Sequence, residues 1–417
     1  MKTKAVRLYG KEDLRLGEFE LPEIKDSEVL LKIVSDSLCM STYKAAEQGA
    51  AHKRVPDNVA EHPVIVGHEF CGTIAKVGKN WENEYKVGDR VSIQPAISTT
   101  MNAPGYSYEY IGGDATYVIV PEIYLTTGSL LRYTGDAFFY GSLSEPMSCI
   151  IGAFHAQYHT QYGSYVHKMG IVEGGKLAIL AGVGPMGLGA IDYAINGPIK
   201  PSLLVVTDIN QERLDRAATI YTVEMAKKNG VELHYLNTGS GDAVEQLMAF
   251  TGGTGYDDVF CMAPVRAVVE QSDAILGHDG CLNFFAGPID KKFSANFNFY
   301  NVHYGATHIV GTSGGNTDDM KEALDMMAKG QINPAGMVTH IGGLNAVAET
   351  TLNLPNIPGG KKLVYTHLDM PLTAIDDFEK LGENDPMYAE LAKIVKKTNN
   401  LWNAEAEKYL LANCKQI

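Results

Sequence analysis

The stretch Lys176-Leu-Ala-Ile-Leu-Ala-Gly182-Val-Gly184-Pro185-Met186-Gly187 decides the fold of the second half of the chain. Its first residues form a short apolar run, which is typical of a buried parallel strand. Three glycines follow in the spacing G-x-G-x-x-G, and a helix-like stretch at 188–195 comes next. In this context Gly182 permits a tight turn, Gly184 lets a pyrophosphate approach, and Gly187 lets the helix pack on the strand. The stretch predicts a dinucleotide-binding βα unit.

Beyond this turn, strand-like and helix-like runs alternate. Strands are predicted at 203–207, 257–262, 280–285 and 307–311, and a single long helix at 211–228. Alternation of this kind indicates an α/β fold with a doubly wound parallel sheet.

Asp208 follows the second predicted strand, where a carboxylate can accept hydrogen bonds from an adenosine ribose. A carboxylate at this position would repel a 2'-phosphate, so NAD is favoured over NADP. Arg213 and Arg216 could reverse that preference, and the alternative is that they are surface charges of the helix. The predicted cofactor-binding residues are Gly182, Gly184, Pro185, Met186, Gly187, Asp208 and Arg213.

Length and composition limit the function further. A chain of 417 residues is too long for one ordinary core and suits two domains, with three as the alternative. The net charge of -14 argues against nucleic acid or an anionic membrane as a partner, because both select basic surfaces. No apolar stretch approaches 18 residues, and six scattered cysteines suit reduced thiols. We therefore expect a cytoplasmic protein with a small-molecule substrate.

The first half of the chain has a different pattern. Strands are predicted at 4–8, 28–34, 72–77 and 115–120, with a long ordered loop at 91–113, which together indicate a β-rich lobe. A helix at 317–329 and a strand at 362–366 follow the α/β part. Two tail helices are predicted at 387–397 and 401–413. Apolar residues on them favour a role in packing or oligomer formation over a catalytic role.

Residue types that bind metals are concentrated ahead of the glycine turn. Cys39 supplies a thiolate, His68 an imidazole, and Glu69 or Glu145 a carboxylate. A catalytic zinc needs about three protein ligands and one open position. Gly67-His68-Glu69 suits a tight turn after a strand, and Cys71 is an alternative ligand that a core role explains better. A metal site and a nucleotide site in one chain are chemically complementary, and together they favour metal-assisted hydride transfer.

At these residues the chain resembles the zinc-containing medium-chain alcohol and polyol dehydrogenase family. The resemblance runs from Met1 to about Thr366 and rests on these segments: His62-Pro-Val-Ile-Val-Gly-His-Glu69, Gly72-Thr-Ile-Ala-Lys-Val-Gly78, Lys86-Val-Gly-Asp-Arg-Val91, Leu143-Ser-Glu-Pro146, the glycine turn with Asp208, and Thr339-His340. It implies a GroES-like catalytic domain at 1–148 and 313–417, with a helical tail from about 370. It also implies a Rossmann domain at 149–312.

The resemblance also implies roles for individual residues. Cys39 and His68 match the family's catalytic zinc ligands, and Glu69 matches an adjacent glutamate that sometimes binds the metal. Glu145 matches the glutamate of the polyol branch, which binds zinc directly or through water. No cysteine lies between Cys71 and Cys149, so one catalytic zinc and no structural zinc are expected.

The implied reaction interconverts a secondary alcohol and a ketone. Zinc lowers the pKa of the hydroxyl, Ser41 relays its proton, and hydride passes to or from the nicotinamide. The family's Cys-Gly-Ser/Thr-Asp is Cys39-Met-Ser-Thr42 in this chain, which keeps the hydroxyl of Ser41 but removes the usual acid. The expected catalytic residues are Ser41, Glu69 and Lys44.

The substrate is expected to be a polyol or polyol phosphate, with threonine as an alternative. Lys44, His52, Lys53 and Arg54 follow Cys39 closely and could hold a phosphate, although a solvated loop explains them equally well. A homodimer or homotetramer is expected. A zinc-free nucleotide-binding protein of the same fold, which is not an enzyme, remains an alternative hypothesis, and so does a zinc-independent enone reductase, although the metal-binding residues argue against both.

Overall fold

The computed structural model describes residues 1–161 and 163–417. The chain divides into two compact units. The first comprises Met1–Glu145, Asn316–Gly330 and Val338–Ile417, and the second comprises Pro146–Gly315 and Gln331–Met337. Among the described residues, no helix has both the length and the apolar character needed to span a membrane.

The first unit begins with β-strands, as its Val- and Ile-rich runs predict. The strands are β1 (Lys2–Gly10), β2 (Asp13–Glu20), β3 (Val29–Leu38), β4 (Val64–Ile65), β5 (Phe70–Val77), β6 (Arg90–Ile93), β7 (Tyr117–Val120) and β8 (Leu130–Arg132). Three helices lie among or after these strands: α1 (Met40–Gln48), α2 (Glu122–Thr126) and α3 (Phe138–Ser142). The next helix, α4 (Ser144–Ala156), begins in the first unit, and its residues from Pro146 onwards belong to the second. Strand β2 was not predicted, and it pairs antiparallel with β1.

The second unit contains a six-stranded parallel sheet. Its strands and those of a small hairpin are β9 (Tyr158–Thr160), β10 (His167–Met169), β11 (Lys176–Leu180), β12 (Leu203–Asp208), β13 (Glu232–Asn237), β14 (Tyr256–Cys261), β15 (Leu276–Phe284) and β16 (His308–Gly311). The helices are α5 (Pro185–Asn196), α6 (Gln211–Ile220), α7 (Val223–Lys228), α8 (Ala243–Phe250), α9 (Arg266–Ala274) and α10 (Phe299–Tyr304). The strand order β13-β12-β11-β14-β15-β16 is that of a Rossmann fold, which confirms the predicted fold class.

The chain then returns to the first unit. Its last elements are α11 (Thr317–Ala328), β17 (Val338–Gly343), α12 (Val347–Asn353), β18 (Lys361–Tyr365), β19 (Thr373–Ala374), α13 (Phe378–Leu381), α14 (Pro386–Lys396) and α15 (Ala404–Asn413). Strands β17, β18 and β19 extend the larger sheet of this unit beside β3. Strand β18 therefore lies next to the strand that precedes Cys39.

The prediction of one helix over 211–228 is wrong. The structure has two helices, α6 and α7, separated at Tyr221 and Thr222. The Thr222 side chain accepts a hydrogen bond from the backbone N–H of Met225, so it caps a new helix instead of continuing the old one.

The tail helices pack on the first unit. Leu391 and Leu410 are fully buried, as is Trp402 between the two helices. Trp402 donates a hydrogen bond to the hydroxyl of Tyr365 on β18, and that hydroxyl donates to Glu407. Glu407 also accepts the backbone N–H groups of Phe138 and Phe139 at the start of α3. The tail thus joins the sheet to the segment before Glu145.

Candidate active site

Two sheet connections bring the metal-binding residue types together. Strand β3 ends at Leu38, and Cys39 is the N-cap of α1, while His68 and Glu69 lie between β4 and β5. One ligand atom each from Cys39, His68 and Glu69 lies within 4.8 Å of the other two. Gly67 has φ +86, and a Cβ atom there would lie 2.3 Å from an Asp36 carboxylate oxygen. Glycine is therefore required for this turn.

The donor set suits zinc, which binds thiolate, imidazole and carboxylate groups. Burial lowers the pKa of His68 to about 4, so its ring is neutral and a nitrogen can bind a metal. Burial, and then the charge of Glu69, raises the pKa of the Cys39 thiol to about 12. A thiol that is so hard to ionise alone needs a cation beside it to become a ligand, because a bound metal deprotonates its thiol ligands.

Glu69 has a counter-ion that the sequence did not reveal. The ammonium of Lys361 lies 2.5 Å from Oε1 and 2.6 Å from Oε2 of Glu69, and the Ser37 hydroxyl donates to Oε2. Burial alone would raise the pKa of Glu69, but Lys361 lowers it below its usual value. The signal for Lys361 was its place at the start of a strand that continues after Lys362 in apolar residues, because a charged residue that is buried in such a strand needs a partner.

His68 is held by two side chains that sequence reasoning missed. The Thr42 hydroxyl is 3.3 Å from Nδ1 of His68, and the Tyr106 hydroxyl is 3.4 Å from Nε2. Thr42 occupies the position at which the family pattern has an acid. The two hydroxyl groups fix the orientation of the ring, and a metal would take the place of one of them on a ring nitrogen while the other keeps its contact.

Glu145 lies near this set but is not part of it. It is half-buried at the start of α4, and its charge raises the pKa values of Cys39, Lys361 and Tyr106. The described group of mutually close ligand atoms comprises only Cys39, His68 and Glu69.

Of the two predicted catalytic residues on α1, Ser41 lies beside the metal-binding set. The hydroxyl of Ser41 is 2.9 Å from Sγ of Cys39. Lys44 is half-buried and follows three residues later on the same helix.

The structure brings two of the predicted phosphate-binding residues near this cluster. The ring of His52 stacks on the Tyr106 ring at a centroid distance of 5.7 Å, and Cζ of Arg54 is 5.5 Å from the same ring. Lys53 is exposed. Cys71 is fully buried against Gly141, so its surroundings are those of a core residue.

The glycine turn has the geometry that a nucleotide needs. Gly184 is the N-cap of α5, Pro185 is its first residue, and Met186 is half-buried. A Cβ atom on Gly184 would meet no atom within 4 Å, whereas one on Gly187 would lie 2.1 Å from the carbonyl oxygen of Gly182. The turn is therefore open where a pyrophosphate would approach the helix N-terminus, and closed where the helix meets the strand.

The three residues expected to affect ribose binding, Asp208, Arg213 and Arg216, differ in their exposure and in their hydrogen-bond partners. Asp208 ends β12, and its Oδ1 accepts the backbone N–H groups of Ile209 and Asn210. Arg213 is exposed on α6. Arg216 donates to the carbonyl oxygen of Gly336 at 3.3 Å, so its guanidinium has a protein partner.

Known proteins place the chain in a family. The pattern of the alcohol dehydrogenase GroES-like domain matches residues 25–128, and that of the zinc-binding dehydrogenase matches residues 185–329. The chain is 58% identical to an uncharacterized protein, YggP, of Escherichia coli, over 99% of this chain and 97% of that protein. It is 55% identical to the mannitol-1-phosphate 5-dehydrogenase of Aliivibrio fischeri, over 98% of this chain and 97% of that protein. It is 51% identical to the L-sorbose 1-phosphate reductase of Klebsiella pneumoniae, over 100% of this chain and 98% of that protein.

A solved structure shows the same fold. It is that of a protein from Sinorhizobium meliloti described as a zinc-binding dehydrogenase bound to NADP, with 20% identity and a TM-score of 0.70 over 88% of this chain and 100% of that one. Two domain patterns match, and relatives that align over almost their full length have sequences more than 50% identical to this one. The chain therefore belongs to the zinc-binding alcohol dehydrogenase family, with GroES-like and Rossmann-type domains.

Proposed function

We propose that the protein is a zinc-dependent oxidoreductase that interconverts a secondary alcohol of a polyol phosphate and the corresponding ketose phosphate with NAD(H). The observation that carries this proposal is the close set of Cys39, His68 and Glu69 in a chain whose relatives include two that are named for polyol or sugar phosphates. A free polyol and threonine are less favoured substrates, because neither uses the basic residues beside this set.

The residues divide the chemistry among them. Cys39 and His68 would hold zinc, with Glu69 or Glu145 as the carboxylate ligand, and one zinc per chain is proposed. When bound, zinc supplies Lewis-acid stabilisation of an alkoxide or carbonyl oxygen. The Ser41 hydroxyl accepts the proton of the alcohol at Oγ and passes it on towards Lys44. When bound, the nicotinamide would supply the hydride acceptor, so that an alcohol that loses a proton and a hydride would become a ketone.

NAD is the proposed cofactor. Asp208 places a carboxylate at the end of β12, where it would repel a 2'-phosphate. Arg216 is engaged with Gly336, which leaves the exposed Arg213 as the nearest candidate for a 2'-phosphate on this helix. Because the S. meliloti structure contains NADP, both cofactors belong in the test.

The proposed substrate pair is L-sorbose 1-phosphate and D-glucitol 6-phosphate, as the name of the K. pneumoniae relative suggests. Lys44, His52, Lys53 and Arg54 would bind the phosphate. The name of the A. fischeri relative makes D-mannitol 1-phosphate the second candidate.

We also propose a cytoplasmic homodimer or homotetramer. The second unit exposes Phe299, Tyr300 and Tyr304 on α10, and Ile309 on the edge strand β16. Aromatic and aliphatic side chains exposed beside an open sheet edge are typical of an interface. Sedimentation of the purified protein tests this, because a monomer at micromolar concentration would contradict it.

The experiment for the reaction is a substrate and cofactor panel. NADH and NADPH oxidation is followed with L-sorbose 1-phosphate, and NAD and NADP reduction with D-glucitol 6-phosphate, D-mannitol 1-phosphate, free sorbitol and threonine. We expect turnover of a phosphorylated substrate with NAD(H) that a chelator abolishes. Turnover of threonine or free sorbitol alone would refute the polyol-phosphate assignment.

A further inference from the structure

The loop between β6 and β7, residues 94–116, is pressed against the metal-binding turn. Gly105 has φ +81, and a Cβ atom there would lie 2.3 Å from the carbonyl oxygen of Gly67. The hydroxyl of Ser107 donates to the carbonyl oxygen of Arg54 at 2.7 Å, which fastens the same loop to the basic segment. Tyr106, between these two contacts, is therefore fixed between the metal-binding turn and the basic segment.

Tyr106 is buried, with an exposed fraction of 4%, and its hydroxyl faces the metal-binding set. The hydroxyl is 3.4 Å from Nε2 of His68. A tyrosine hydroxyl can both donate and accept, so it can bind a substrate oxygen that replaces this contact.

The ring of Tyr106 supports the basic segment. Cζ of Arg54 lies 5.5 Å from the ring centre, within the range of a cation–π interaction. Nε of Arg54 is buried and has no hydrogen-bond partner among the residues described at 1–161 and 163–417. A buried guanidinium N–H without an acceptor is costly, and a phosphate oxygen is an acceptor that arginine binds well.

We infer that Tyr106 is the residue that fixes where the substrate phosphate lies relative to the reacting carbon. Its hydroxyl binds the substrate at the reacting end, and its ring holds Arg54 against the phosphate. Because both contacts are made by one side chain, the phosphate would have to lie close to the reacting carbon, and a phosphate on the carbon next to the carbonyl meets this condition. The substrate class is then ketose 1-phosphates, with the carbonyl at C2, and not ketose 6-phosphates. This inference rests on the proposed function.

D-Mannitol 1-phosphate provides a test with an internal control. The parent polyol is symmetric, so C2 and C5 have equivalent configurations and differ only in distance from the phosphate. Oxidation at C2 yields D-fructose 1-phosphate, and oxidation at C5 yields D-fructose 6-phosphate. D-Glucitol 6-phosphate offers a second choice, because oxidation at C5, next to the phosphate, yields L-sorbose 1-phosphate, and oxidation at C2 yields D-fructose 6-phosphate.

We expect the wild-type protein to form more ketose 1-phosphate than ketose 6-phosphate from whichever of D-mannitol 1-phosphate and D-glucitol 6-phosphate it oxidises faster. The excess should be at least about tenfold, which corresponds to about 1.4 kcal/mol. A predominance of D-fructose 6-phosphate would overturn the inference and leave the proposed function intact. If neither polyol phosphate is oxidised, the proposed function itself fails.

Two substitutions connect the product ratio with the residues. Tyr106→Phe keeps the ring, so kcat should fall about tenfold or more while KM changes less, and the product ratio should decrease. Arg54→Gln should raise KM for the phosphorylated substrate. Tyr110→Phe, a matched change at a more exposed tyrosine of the same loop, should behave as wild type. Zinc content and NADH binding are measured for each variant, and an unchanged product ratio in a zinc-loaded Tyr106→Phe protein would refute the role of the hydroxyl.

Discussion

Lys361 and Glu69 form a buried ion pair, with Nζ of the lysine 2.5 Å and 2.6 Å from the two carboxylate oxygens of the glutamate. The lysine side chain is 7% exposed and the glutamate 1%. The pair connects β18, in the last third of the chain, to the turn that carries His68.

Removal of the lysine from this pair should be costly. Lys361→Met leaves Glu69 charged and buried without its counter-ion, so we expect a loss of about 3–5 kcal/mol in the free energy of unfolding, measured with urea. Lys397→Met is the matched control, since Lys397 pairs with Glu405 at 2.7 Å where both side chains are 60% exposed. That variant should lose no more than about 1 kcal/mol. Equal losses in the two variants would show that the buried pair stabilises the fold no more than the exposed pair does.

The basic segment should affect phosphorylated substrates selectively. Lys53→Ala combined with Arg54→Ala should raise KM for sugar phosphates and leave free polyols unaffected, because only the phosphate contacts these charges. Arg54→Ala alone should cause most of the effect, since Arg54 lies on the Tyr106 ring while Lys53 is exposed. Lys79→Ala, at another exposed lysine of the same unit, is the control. An equal rise in KM for free and phosphorylated polyols would eliminate the phosphate pocket.

Asp192 should make the stability of the protein depend on pH. It is buried in α5, accepts hydrogen bonds from Asn333 and Asn196, and burial raises its pKa from 3.8 to about 7. The native state therefore holds a proton that the unfolded chain loses at lower pH, so stability should fall as pH rises from about 4 to about 7. Asp192→Asn remains neutral throughout.

The comparison isolates this group from other titrating residues. The difference in free energy of unfolding between wild type and Asp192→Asn should shift in favour of the asparagine variant with rising pH. If the difference is constant from pH 4.5 to 8, the proton is not held by Asp192.

The tail should stabilise the first unit through Glu407. Its two carboxylate oxygens accept the N–H groups of Phe138 and Phe139 and the hydroxyl of Tyr365. Glu407→Gln replaces one acceptor oxygen by a donor, so a buried N–H or O–H loses its partner at a cost of about 1–3 kcal/mol. The exposed Glu405, two residues earlier, provides the control Glu405→Gln. Equal stability of the two variants would show that the tail contact is dispensable.

Patterns of local sequence predicted the fold well and the side-chain contacts less well. The apolar run before Gly182 and the spacing of the glycines sufficed for the parallel sheet, because both follow from local backbone requirements. Helices α6 and α7 were merged, because the cap at Thr222 breaks an amphipathic pattern that continues across it. Strand β2 was missed because it is an edge strand with few buried residues.

At the active site, too, local motifs predicted some residues, and contacts between distant segments were not predicted. Cys39, His68 and Glu69 stand in recognisable local motifs, and the structure brings them together. Lys361 and Tyr106 come from a distant strand and a loop without a motif, so their contacts with Glu69 and His68 depend on tertiary structure. The roles of Glu145 and Lys44 stay predictions, as does the domain boundary at 148.

The central claim is that Cys39 and His68 hold a zinc ion that the reaction needs, and metal analysis of the purified protein tests it most directly. Zinc is measured per chain in wild type, Cys39→Ser, His68→Ala and Cys71→Ala, together with NADH binding and polyol-phosphate oxidation. We predict one zinc in wild type and Cys71→Ala, and loss of zinc and turnover with retained NADH binding in Cys39→Ser and His68→Ala. Wild-type protein with less than about half an equivalent of zinc and activity that survives chelation would contradict the account.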